Sequence, residues 1–208
     1  MGKRFAEFVR SDTGILVLLA MLRVVLHCLS NGQYGFHRDE LQTLDDARHL
    51  DWGFVAYPPI TPLIGRLELA LFGTSLIGFR FLAAVAVSAV MILAGLITKE
   101  LGGGRREQIL AAIAVGISPI SLPQGAVLQY VAFDYLWGVA VTYFLVRLGI
   151  WDYRFMLRSF RYAIVIIFIL AAILTPTPDV VNQSLLALPM LVLYILSIGV
   201  AYVWRRKQ

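Results

Sequence analysis

The sequence predicts an all-α, polytopic integral membrane protein with about six transmembrane helices. A short interfacial helix is expected in the first outer loop. Three observations lead there. The chain has 208 residues, of which 59% are hydrophobic and only 15% charged. Its mean hydropathy is +0.77, whereas a soluble domain of this size needs far more polar cover. Several apolar runs approach the roughly 20 residues that cross a hydrocarbon core of about 30 Å. In lipid the backbone must satisfy its own hydrogen bonds within each segment, which selects helices.

The elements follow in order. Lys3, Arg4 and Arg10 mark a cytoplasmic start. A first span runs from about 14 to 30, and no small-residue cleavage site follows it, so it reads as retained. Residues 34–59 form the longest polar run. Pro58-Pro59 then open, and Gly73 closes, a helix of about 13 residues, too short to span and suited to the interface. Further spans are expected at about 75–98, 108–122, 131–148, 162–174 and 184–203. Basic clusters at 99–106, 147–161 and 205–207 then fall on the side of the N-terminus. The Lys/Arg bias sets both termini in the cytoplasm. The net charge of +5 is spread over these span ends rather than gathered in a patch, which argues against nucleic acid as a partner. The single cysteine, Cys28, excludes an internal disulfide.

Candidate chemistry gathers in the polar run. Asp39 and Glu40 form an acidic pair that can hold a carboxylate ready to take a proton from a hydroxyl. The alternative is a solvated segment with Asp39 near a helix start, where acids favour the dipole. His37, Asp39, Glu40, Asp45, Asp46 and His49 are of the types that bind a divalent metal ion, but their spacing follows no fixed motif. A metal contact at Asp39 and Glu40 therefore stands only as a weak alternative to no cofactor. Asp134 lies near the outer end of the fourth expected span, where an ionisable group marks a functional site unless it stays wet. Arg23 sits in the middle of the first span and calls for a carboxylate or a water-filled cavity. Arg66 and Arg80 either grip a lipid phosphate or snorkel to headgroups.

Two family resemblances run through these residues. HRDE (37–40), the run at 48–73, FRFLAAV (79–85), ITKELGGGR (97–105) and the run at 131–148 resemble the N-terminal part of GT-C-type membrane glycosyltransferases. The nearest group is that of protein mannosyltransferases and aminoarabinose transferases. This resemblance implies an enzyme that transfers a hexosyl or pentosyl sugar from a polyprenyl-phosphate donor to an extracytoplasmic acceptor. It implies Asp39, with Glu40, as catalytic base or metal contact and Asp134 as a second catalytic carboxylate, beside His37, Tyr57, Arg66 and Arg80 as substrate-binding residues. Tyr57 stands where that family commonly has His. From about Arg147, the run that includes TPTPDVVNQ and LLALPM is similar to the last two spans of the TatC family of Tat protein translocase components. This second resemblance implies Sec-independent (twin-arginine) protein translocation, with partner helices meeting spans five and six. The family's signal-receptor region has no counterpart here. Together the two imply a glycosyltransferase-like region at 1–146 and a TatC-like hairpin at 147–208, fused near Val146-Arg147-Leu148. An inert chimera is the third reading. All three place the chain among lipids of the bacterial cytoplasmic (inner) membrane.

Overall fold

The computed structural model describes residues 11–54, 58–151 and 153–174, and residues 180, 183–184, 187–188, 190–192, 194–195 and 198–199. Among these all regular structure is helical and no strand occurs. In chain order the helices are α1 (Asp12–Ser30), α2 (Arg38–Arg48), α3 (Ile60–Phe72), α4 (Leu76–Phe79), α5 (Phe81–Glu100), α6 (Arg105–Gly116), α7 (Ser121–Gln124), α8 (Tyr130–Arg147), α9 (Tyr153–Arg158) and α10 (Phe160–Leu174). The described residues between 180 and 199 are helical too.

Local chemistry sets these boundaries. The Ser11 hydroxyl accepts from the Gly14 amide at 3.0 Å and caps α1. α2 arises inside the polar run because His37 and Glu40 form a capping box. Pro59 leads into α3, and Gly73 ends it at φ 64°, a conformation that glycine adopts without penalty. Arg80 separates the single turn α4 from α5. α6 stops at Gly116, two residues before Ser118-Pro119, because a residue preceding proline disfavours the helical region.

The chain divides into two compact units, Met1–Phe144 and Leu145–Gln208. In the first, α1 and α6 both pack on α5 around Leu16, Met91 and Ala112. A second core joins Leu44 of α2 to Phe79, Ala83, Val87, Leu128 and Ala132. In the second unit Ile167, Ala171 and Ala187 form a small apolar core.

Among the described residues two helices, α1 and α5, are long and apolar enough to cross a membrane. α6, with 12 residues, reaches only about 18 Å at 1.5 Å per residue. The six expected spans are thus two clear ones plus shorter or more polar helices among the described residues. The packing also inverts the soluble pattern. α3 buries Thr61, Pro62, Gly65 and Glu68 while Ile60, Leu63, Leu67 and Leu71 are exposed. α1 buries Arg23 and His27 and exposes Met21, Leu22, Val25, Leu26 and Leu29. Small and polar side chains inside, with apolar ones outside, suit hydrocarbon surroundings.

Candidate functional site

The capping box that starts α2 also places Glu40 in the interior. Its Oε2 accepts from the His37 amide at 2.8 Å, which turns the carboxylate back across the helix start. Arg80, at the break before α5, donates from Nε to Glu40 Oε1 at 2.8 Å and from Nη2 to Oε2 at 2.6 Å. The Leu128 amide donates to Oε1 at 3.0 Å. The guanidinium also reaches the carbonyls of Asn31 at 2.6 Å and Gly35 at 2.9 Å. The Arg80 and Glu40 side chains are 5% and 0% exposed. Each carboxylate oxygen thus accepts two hydrogen bonds. The bidentate pair ties together the chain at 31–35, the start of α2, the α4–α5 break and the approach to α8. Glu40 and Arg80 therefore serve each other, whereas the sequence assigned one to catalysis and the other to a phosphate.

A second polar group comes from α1. Arg23, His27 and Asn31 recur every four residues and so share one helix face. Arg23 Nη2 donates to the Ser121 carbonyl at 2.8 Å and Nη1 to the Val87 carbonyl at 3.2 Å. Asn31 Nδ2 donates to the Gly125 carbonyl at 2.9 Å. Gly125 lies so close that a Cβ there would stand 2.6 Å from His27 Nε2, which only glycine avoids. The bonds to Ser121 and Gly125 satisfy the broken backbone between α6 and α8, which is tolerable at membrane depth only when buried against polar partners. Arg23 thus meets carbonyls rather than the carboxylate the sequence called for, and it also lines a cavity.

Glu68 is a buried acid to which the sequence assigned no role. It is 0% exposed. Its Oε1 accepts from the Leu82 amide at 2.6 Å, at the first turn of α5, and Oε2 has no hydrogen-bond partner. Burial pushes this carboxyl up to about 8; the Leu82 amide opposes the shift and the Glu40 charge adds to it. The signal in the sequence was the spacing of Thr61, Gly65 and Glu68, a small and polar face on an otherwise apolar helix.

The other candidates stand nearer the surface. Asp39 is about half exposed; its Oδ2 accepts from Gln129 Nε2 at 2.9 Å and lies 3.8 Å from His37 Nδ1. Asp134 is exposed on the second turn of α8, beyond the Leu128 and Gln129 groups that Glu40 and Asp39 hold. Arg66 is exposed on α3. Tyr57 lies outside the described residues. Among the described residues no three His, Cys, Asp or Glu side chains come together as metal ligands. Asp45 and His49 pair at 3.4 Å on the exposed end of α2.

Comparison with known proteins adds what this geometry cannot. Residues 138–189, from within α8 onward, match the family of the Sec-independent protein translocase protein, TatC. This stretch is TatC-like. The TatC protein of Koribacter versatilis is 49% identical over 68 residues, 33% of this chain and 25% of that protein. That of Carboxydothermus hydrogenoformans is 44% identical over 68 residues, 33% of this chain and 28% of its own length. That of Deinococcus radiodurans is 30% identical over 156 residues, 74% of this chain and 54% of that protein. The chain thus spans about a quarter of the first two TatC relatives and about half of the third. No solved structure matches it.

These findings correct the main functional expectation. The relatives are TatC proteins, so sugar transfer from a polyprenyl-phosphate donor gives way to the TatC alternative. The Deinococcus match covers 74% of the chain and therefore begins well before residue 138. No comparison supports a glycosyltransferase-like N-terminal region or a fusion of two families.

Proposed function

We propose that this protein is a TatC-like membrane component of Sec-independent protein translocation. The observation that carries the reading is the family match at 138–189, which takes in the end of α8, α9, α10 and the TPTPDVVNQ run. In this reading the helices from α8 onward meet partner helices of other translocase components in the bacterial cytoplasmic membrane. Exposed apolar residues of α10, among them Val165, Ile166 and Ile169, supply surface for such a contact. The Lys/Arg clusters support cytoplasmic termini. The interlocked Glu40 and Arg80 then act as scaffold. Within the matched stretch α10 is an apolar helix, which suits a part in the membrane body of the translocase.

Co-purification tests this. The tagged 208-residue chain, extracted in mild detergent from cells with a Tat system, should bring other Tat components with it. A version lacking residues 147–208 should not. Equal recovery from both versions would refute the assignment of partner contact to this segment.

A further inference from the structure

Beside the carbonyl contacts of Arg23 lies a cavity of about 280 Å³ between α1, α5 and α6. Its walls are Leu19, Leu22, Leu26, Met91, Ile113 and Ile117, and its polar lining comes from Arg23, His27 and Ser30. No Asp or Glu lines it. Arg23 is 5% exposed. A guanidinium carries five N–H donors. Here two of its nitrogens bond carbonyls, while the buried Nε has no partner. Carbonyl dipoles satisfy hydrogen bonds without neutralising a charge. Among the described residues no carboxylate pairs with Arg23. A buried charge without a counter-charge costs several kcal/mol.

We propose that this cavity binds one long-chain carboxylate, with its acid oxygens on Arg23 and its hydrocarbon chain along Leu19, Leu22, Leu26 and Ile117. Complementary charge and an apolar channel ending at the cation select an anionic amphiphile. Depth selects the carboxylate over a phospholipid headgroup. Arg23 lies seven residues before the end of α1, or about 10 Å in at 1.5 Å per residue. A phosphate headgroup stays at the interface, whereas a carboxylic acid enters hydrocarbon in its neutral form. Leu22, Leu26 and Ile117 are exposed, so the cavity opens on the surface that faces lipid. The inference is independent of the translocation reading.

The test uses the full chain in an uncharged detergent, titrated with palmitic acid, hexadecanol and phosphatidylglycerol. Native mass spectrometry counts the bound molecules. One palmitate per chain is expected, with hexadecanol weaker by about tenfold or more, since ~1.4 kcal/mol from the charged contact gives that factor. Phosphatidylglycerol should not displace it. Arg23→Gln should bring palmitate down to the level of hexadecanol. Leu22→Trp, at an exposed position that leaves the Arg23 bonds intact, should block the channel and abolish binding. Acid and alcohol binding within about twofold of each other on the wild-type chain would overturn the proposal. So would displacement by phosphatidylglycerol, or wild-type binding by the Leu22→Trp chain.

Discussion

In the unit Met1–Phe144 the buried residues include Arg23, His27, Glu40, Glu68 and Arg80, whereas the described buried residues of Leu145–Gln208 are Ile167, Ala171, Ala187 and Ile198. To its two apolar cores the first unit adds charged groups whose partners come from distant parts of the chain. Glu40 meets Arg80 and Leu128, and Arg23 meets Val87 and Ser121. The second is held by apolar contact, with Gln183 Nε2 donating to the Phe168 carbonyl at 2.8 Å as a polar addition. The family-model match nonetheless lies largely in the second, while the Deinococcus likeness also runs through much of the first. Where a buried charge is fully paired, as Glu40 and Arg80 are with each other, it marks where the fold is locked and is a poor guide to function.

The largest effect that sharpens this contrast is expected from Arg80→Met. It leaves the Glu40 carboxylate buried without its cation, and such breakage costs about 3–5 kcal/mol. Unfolding in detergent should show that loss, and the double variant Arg80→Met with Glu40→Gln should recover part of it. A cost under about 1 kcal/mol would mean that the pair is not the lock of the first unit.

Next in size is the pH dependence from Glu68. Its folded-state pKa of about 8 lies above the ordinary 4.5. The folded state therefore binds more protons between those values, and its stability falls as pH rises from about 4.5 to about 8. A difference of one in pKa corresponds to about 1.4 kcal/mol, so the fall amounts to a few kcal/mol. Glu68→Gln should flatten the curve by keeping the hydrogen bond from the Leu82 amide while removing the charge. An unchanged slope in that variant would place the dependence elsewhere.

In the second unit the expected response is one of volume. Ala171→Leu, at a fully buried position, should overpack the core and cost about 1–3 kcal/mol. It should leave the pH dependence alone. The smallest effect is expected from Asp39→Asn: a half-exposed side chain with one bond to Gln129 should change stability by less than about 1 kcal/mol. A drop comparable to that of Arg80→Met would extend the lock to the surface.

Much of the helical plan was legible in the sequence. Pro58-Pro59 and Gly73 bracket α3, and the apolar runs locate α1, α5, α8 and α10. The break between α6 and α8 was less so. Ser118-Pro119 shows where α6 ends, but the partners of the freed backbone, Arg23 and Asn31, lie 98 and 94 residues earlier. The acidic pair Asp39-Glu40 was visible as a feature. Its division into one exposed and one enclosed carboxylate depends on Arg80 and Leu128, which no local pattern connects to it. Likeness to known families named, from TPTPDVVNQ and LLALPM, the alternative that the comparisons support, because that motif is specific over a short run. Charged residues scattered through the first unit carried less information than their number suggested.

The central claim, that the segment after α8 is a working part of a TatC-like translocase, meets its most direct test in a hybrid. Residues 147–208 replace the last two helices of a complete TatC relative, and export of a twin-arginine-signal reporter is measured in a TatC-deficient strain. The account predicts export well above the empty strain at normal membrane levels of the hybrid. A hybrid that inserts at those levels and exports nothing would contradict it.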